Sequence, residues 1–488
     1  MSLLESAYGL GMTAARPLLP ALGALSPSLA RAAAGHRVAL AELRRWCAAE
    51  RREGWPLVWL HGASVGELIG AVPIVELLRR ESEPPDAPAA REGAAAARPA
   101  TSGRPGRRGG RLFQLVVTYF SPSGEGGAAA LLPDHAGYLP LDTLRETGAS
   151  IDALRPAVIV FAKLDVWPNL TRAAARRGVP LALVNATVRP GSSRLSPLAR
   201  RFLQPAYGRL TRVGAVSSED AERLVSLGVR RDAIRVTGDA AFDRALARAE
   251  RAPASSAALR MPPREPDVPR LVAGSTWPAD EEVLLDAVAA LKASGRPVEL
   301  VLVPHRPEAA AIARLAGRCR RALGAAPRLW TAPPGPAPGG SPVAEDPPGE
   351  RPADGAAPPA GGAPAPPPLI VDVVGVLADL YAVADIAYVG GGFGHAGLHS
   401  VIEPAAAGLP VLVGPRHDRR EAAALLACGG AVEITAENAR SVLEHFVEDA
   451  AARRAAGREA RDYVLAGVGA AWAGAEIITE ILTWADDR

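Results

Sequence analysis

The strongest constraint on this chain is a recurring form. Short, continuous apolar runs return along its length, each followed by a helical stretch. In the first half they are "LVWLH", "FQLVVTY", "AVIVFA", "LALVNA", "RVGAVS" and "IRVTG". In the second half they are "RLVAGS", "VELVLVP", "PLIVD", "IAYVGG" and "LPVLVG". A strand wetted on one face alternates apolar and polar residues, whereas a strand covered on both faces does not. These runs do not alternate. With helical stretches such as "EDAERLVSLG" and "EEVLLDAVAALKAS" between them, they predict parallel sheets in a doubly wound α/β architecture. The pattern occurs twice, with a join near residues 244–265. Two Rossmann-like domains facing each other would leave a central cleft lined by C-terminal strand ends, where ligands bind in such sheets.

Length agrees: 488 residues with 48% hydrophobic content suit two full cores. The net charge of +3 carries no nucleic-acid signature. Cys47, Cys319 and Cys428 are widely spaced without a C-x-x-C pair. That spacing argues against a zinc site or disulfide framework, and the expectation is no metal and no cofactor. Residues 81–110 and 331–368 are rich in Pro, Ala and Gly and are predicted to be disordered insertions, since each interrupts units of a single domain. The predicted organisation is an N-terminal segment over 1–45, a first domain over 46–250 and a second over 251–488. The N-terminal segment is apolar but broken by Glu5, Arg16, Arg31 and three prolines, too short in any one run to span a bilayer. Two readings stay open for it: a segment lying on a membrane surface, or a helical pair packed on the first domain.

Several strand-to-helix turns carry chemistry. In "HGASVGELIG" the segment Ser64–Glu67 fits an S-x-x-E capping box, and Glu67 is equally a candidate general base. "FAKLDVWPN" places Lys163, Asp165 and Asn169 at another turn of the same domain. "YVGGGFGHAGLHSVIEPAAAGLPVLVGP" joins a glycine run, including Gly391, to a helix expected from Ser400 and holding Glu403. Glycines allow close backbone approach, a helix N-terminus favours a phosphate, and a carboxylate one turn in can accept from ribose hydroxyls. This turn therefore reads as a nucleotide-sugar site, or else as a tight turn with a helix-start Glu. His305 and Arg306 in "LVPHRPEAA" follow a strand, where an Arg can fork onto a phosphate or belong to a solvated basic loop. "AGSTWPADEE" reads as mainly a helix start.

Together "HGASVGE", "TYFSPSGE", "YLPLD", "DVWPN", "VTGDAAFD", "AGSTW", "VPHRPE" and the Gly-rich stretch occur in the order seen in 3-deoxy-D-manno-octulosonic acid (Kdo) transferases, which this chain resembles over about residues 40–485 outside the insertions. The resemblance implies a GT-B fold of two Rossmann-like domains and transfer of Kdo from a CMP-Kdo donor to the lipid A precursor. It also implies inversion of configuration without a metal, at the cytoplasmic face of the bacterial inner membrane. Carried over by position, Glu67 matches the catalytic base. His305 and Arg306 match a CMP-binding element, Val374, Gly375 and Val376 a second nucleotide element, and Ser400 to Glu403 a third.

The chain departs from the pattern in places. Lys163 stands where many members have a Glu that supports the transition state, and Ala241 where they have its Lys partner. Lys163 is taken as the catalytic companion of Glu67, with Asp239 a candidate partner. Val376 replaces a Glu and Ser400 an Asn at the nucleotide. A divergent branch of the family shares the Lys and the Gly-Gly-Phe-Gly turn, which points to a variant enzyme. The alternatives are a GT-B enzyme with another nucleotide sugar, or a catalytically silent lipid-binding relative.

Overall fold

The computed structural model describes residues 3–18, 26–82, 113–262, 265, 267–331 and 366–486. Apart from their ends, the stretches 81–110 and 331–368 lie outside the described residues. The chain forms two compact units, Met1–Arg244 with Gly467–Arg488, and Ala245–Ala466.

Among the described residues the first unit holds seven strands: β1 Leu57–His61, β2 Gln114–Tyr119, β3 His135–Tyr138, β4 Val158–Ala162, β5 Leu181–Ala186, β6 Arg212–Ala215 and β7 Ile234–Val236. Their order is β3-β2-β1-β4-β5-β6-β7, every pairing parallel. The second unit holds β8 Arg270–Thr276, β9 Glu299–Pro304, β10 Arg328–Leu329, β11 Leu369–Ile370, β12 Ile386–Val389, β13 Val411–Val413 and β14 Ala431–Glu433. Their order is β10-β11-β9-β8-β12-β13-β14, again all parallel. Successive side chains of a strand point to opposite faces. Along β1, Leu57 and Trp59 enter one hydrophobic cluster while Val58 and Leu60 enter the other, which explains the unbroken apolar run.

All eleven apolar runs form strands. β3, β10 and β14 were not marked in the sequence. Each lies at a sheet edge, where "HAGY", "RL" and "AVE" are only partly covered and carry no apolar run.

The C-terminal helix Ala470–Asp486 belongs to the first unit, where the sequence reading ran the second domain to residue 488. Its Ala470, Ala471, Ala475, Ile477, Ile478 and Ile481 face is buried in the cluster over β1 and β4. Gly474 lets it close on the helix Val65–Ser82: a Cβ there would stand 2.8 Å from Ile74 Cδ1. The Asp243 carboxylate caps it by accepting from Gly469 and Ala471 amides at 2.9 and 3.1 Å.

Near the N-terminus, the helices Leu3–Ala15 and Pro27–Glu50 pack on the first unit. Tyr8 Oη donates to Asp142 Oδ2 at 2.9 Å, Arg209 reaches Glu5 at 2.6 Å, and Arg16 reaches Glu146 at 2.9 Å. Leu10 of the first helix is 73% exposed. Among the described residues, Ala450–Thr483 is long and apolar enough to cross a membrane by length and composition; 44% of its most apolar window is buried, and the stretch is split between the helices Ala450–Ala466 and Ala470–Asp486.

Candidate active site

In an open parallel sheet, ligands meet the C-terminal strand ends where the strand order reverses. In the first unit that point lies between β1 and β4. Glu67 follows β1 and Lys163 follows β4, so the topology brings them to one crevice.

Glu67 sits in the first turn of Val65–Ser82 and is half-buried. Its Oε2 accepts the Ala63 amide at 2.6 Å, and its own amide donates to the Ser64 carbonyl at 3.2 Å. The predicted box would have paired the carboxylate with Ser64; it reaches one residue further back. Burial, and then Asp165, raise its proton affinity above the ordinary carboxylate range; the Ala63 hydrogen bond, Lys163 and Arg194 pull the other way.

Lys163 is held in the left-handed region at φ 65°, unusual for a residue with a side chain. Its amide donates to Val184 O at 2.8 Å. Its stem runs over Gly70, where a Cβ would stand 3.8 Å from Lys163 Cε. Residues three apart on a helix share a face, so Lys163 lies along the Glu67 face. Asn185, at a bulge between β5 and β6 with φ 52°, donates through Nδ2 to Gly70 O at 2.7 Å and locks that turn. Asp239 accepts the Ala241 amide at 2.9 Å and so starts its own helix, in place of the suggested pairing with Lys163. Arg194, which the sequence reading missed, pairs with Asp165 across 29 residues; no local pattern signals it.

Beneath this crevice His61 is fully buried. Trp167 Nε1 donates to its Nε2 at 2.9 Å, and its Nδ1 lies 3.1 Å from Thr118 Oγ1. Burial pushes its pKa down to about 3, so the ring is neutral.

In the second unit the order reverses between β9-β8 and β12. The predicted residues follow four adjacent strands: Val374–Val376 after β11, His305 and Arg306 after β9, and Gly391 and Ser400–Glu403 after β12, with Trp277 after β8. His305 stacks on Trp277 at 4.9 Å and 27°, His399 lies against His305 at 4.4 Å, and the Arg306 guanidinium sits 5.8 Å from the Trp277 ring. Burial, then Arg306, lowers the His305 pKa. Val374 is 77% exposed, and the Gly375 carbonyl, at φ 93°, accepts from Arg248 Nη2 at 2.9 Å. Ser400 Oγ donates to Glu403.

Two local readings need correction. The helix expected from Ser400 is Ile402–Ala406, only five residues, with Pro404 in its first turn where no amide is required. A helix that short supplies little dipole. The glycines, read as giving room to a ligand, accommodate neighbouring backbone instead. A Cβ on Gly390 would stand 2.3 Å from Ser275 O, on Gly391 2.1 Å from Gly397 O, and on Gly392 2.7 Å from Gly414 Cα.

Asp280, also missed, holds this turn. Its buried carboxylate accepts Tyr388 Oη at 2.7 Å and the amides of Trp277, Gly391 and Phe393 at 2.8, 2.9 and 3.3 Å. The available signal was a Trp-Pro pair opening a helix in each half, in "DVWPN" and "STWPAD".

Two all-parallel seven-stranded sheets, each with its candidate residues at the reversal point, define an α/β fold of the GT-B class. Solved structures share it: UDP-GlcNAc 2-epimerase from Neisseria meningitidis bound to UDP-GlcNAc (TM-score 0.56, 13% identity, covering 88% of this chain and 99% of that one) and a glycosyltransferase from Rickettsia africae (TM-score 0.53, 11% identity, covering 88% of this chain and 99% of that one). Residues 96–244 match the family model described as 3-deoxy-D-manno-octulosonic-acid transferase (kdotransferase). The chain is 29% identical to the 3-deoxy-D-manno-octulosonic acid transferase of Bordetella pertussis, over 85% of this chain and 84% of that protein, and 23% identical to that of Haemophilus influenzae, over 73% and 70%. The chain is thus similar to the Kdo transferases, a family of glycosyltransferases.

Proposed function

We propose that the chain transfers Kdo from CMP-Kdo to the lipid A precursor in lipopolysaccharide biosynthesis, with inversion, and that Glu67 is the general base. The observation that carries this reading is the half-buried Glu67 carboxylate at the β1 end of the first reversal point, flanked by Lys163 and the Arg194–Asp165 pair. The acceptor sugar hydroxyl gives its proton to Glu67 as its oxygen attacks the anomeric carbon. Burial favours the protonated carboxyl and so favours that transfer. Lys163 supplies positive charge on the acceptor side, where many family members carry a Glu.

CMP-Kdo is assigned to the second unit. Arg306 meets the phosphate, His305 and Val374–Val376 line the nucleotide, Gly391 shapes the turn, and Glu403 with Ser400 accepts from the ribose. CMP departs as an anion, offset chiefly by Arg306, since the five-residue helix at Ile402 adds little. The reading needs no metal. A lipid acceptor places the protein at the cytoplasmic face of the inner membrane, with the N-terminal helices the nearest candidates for contact with it.

The test is mass spectrometry of a lipid A precursor incubated with the protein and CMP-Kdo generated in situ. A mass gain of one or more Kdo residues supports the reading. Transfer from a UDP-sugar and none from CMP-Kdo contradicts it.

A further inference from the structure

Trp277 and His399 are 122 residues apart in sequence, yet the indole Nε1–H donates to His399 Nε2 at 3.3 Å. An indole nitrogen only donates. His399 Nε2 must therefore offer a lone pair, and the proton of the neutral ring resides on Nδ1. The rest of the surroundings hold this geometry. His305 lies against both rings, 4.9 Å from Trp277 and 4.4 Å from His399. The Trp277 amide is bound by Asp280, the His305 amide donates to Thr276 O at 3.0 Å, and the His399 amide donates to Gly390 O at 3.2 Å. Both histidines thus ride on backbone fastened to the ends of β8 and β12.

We propose that Trp277 is a positioning residue for an anionic nucleotide donor: it holds His399 as the neutral Nδ1–H form, so that His399 meets the donor as a hydrogen-bond donor and not as a cation. This rests on the assignment of the nucleotide to the second unit. The groups that face the ring agree. His305 and Arg419 oppose a charge on His399, and Arg306 opposes one on His305. Asp280 favours a charge on His399, but its two oxygens already accept four donors. An anion beside an unrestrained imidazole draws a proton onto it. Here that proton would point at the Trp277 N–H and break the bond.

The experiment uses the full chain with ¹⁵N-labelled histidine and CMP as the probe. In the wild type, His399 Nε2 should show the shift of an unprotonated nitrogen at pH 7. Calorimetry in phosphate and in Tris should give CMP heats that do not scale with buffer ionisation. Trp277→Phe keeps a stacked ring and loses the N–H. It should show a mixed His399 tautomer, take up a proton with CMP, and bind CMP about five-fold more weakly, the effect of one lost hydrogen bond, at unchanged melting temperature. Protonation at Nε2 in the wild type overturns the proposal. So does Trp277→Phe binding CMP as tightly and without proton uptake. A wild type with the expected tautomer that binds no CMP also overturns it, and locates the failure in the donor assignment.

Discussion

The Oε2 atom of Glu67 lies 2.6 Å from the amide nitrogen of Ala63, inside the turn that leaves β1. The contact makes the carboxylate part of the turn and fixes where it points. A helix-start role and a catalytic role are therefore compatible for one side chain, because the backbone donor on one oxygen lowers the carboxylate's proton affinity by less than burial raises it. Glu67 also sits close enough to Asp165, Lys163 and Arg194 to sense their charges.

That coupling sets the pH dependence. A general base works deprotonated, so the transfer rate falls as pH drops through the Glu67 pKa, which burial and Asp165 raise above the ordinary 4.5. Asp165→Asn removes a negative neighbour and should move the acid limb of the pH–rate profile to lower pH. Arg194→Gln removes a positive one and should move it to higher pH. Two variants that shift the limb in the same direction would show that the charges act through folding instead.

His61 predicts an acid weakness in the fold. Its pKa falls from 6.5 to about 3 on folding, so between those values the unfolded chain binds the extra proton. Stability from this group is whole above pH 6.5 and declines as pH falls, by about 1.4 kcal/mol per unit. Asp142 runs the opposite way: burial raises it from 3.8 to about 6, so acidification through that window relieves a buried charge. His61→Gln should flatten the acid side of the wild-type curve by that slope, as read from urea unfolding at pH 7 and pH 5. An unchanged slope would place the titration elsewhere.

Gly391 combines φ 97° with a Cβ position 2.1 Å from Gly397 O. Both a left-handed backbone and a backbone clash oppose any side chain. Gly391→Ala should lower stability by more than about 2 kcal/mol in a denaturant titration and abolish CMP binding. Gly375 has a positive φ of 93° but open space around it, so Gly375→Ala should fold with a smaller loss.

The central strands were legible because burial on both faces writes itself as an unbroken apolar run, as in Leu57–His61. Three of the four edge strands were not, because β3, β10 and β14 are only partly covered and their residues answer to solvent as much as to the core; β7, also at an edge, was read from "IRVTG". The crevice residues after β1, β4, β9 and β12 were legible because turns that end strands and start helices carry Gly, Ser and isolated polar residues. Partners far apart in sequence were not: Arg194 with Asp165, and Trp277 with His399, meet only because parallel strands bring their ends together. The C-terminal helix was misassigned because a small-residue face such as Ala470–Ala475 reads alike whichever sheet it covers.

The most direct test of the account is the rate of Kdo transfer by Glu67→Gln, followed by mass spectrometry with lipid A precursor and CMP-Kdo generated in situ. Gln still accepts the Ala63 amide through its carbonyl oxygen, so the helix start persists, but it takes no proton. The account predicts near-native melting, normal CMP binding and transfer at least ~100-fold slower than the wild type. Retention of most of the wild-type rate in a folded Glu67→Gln protein would contradict it.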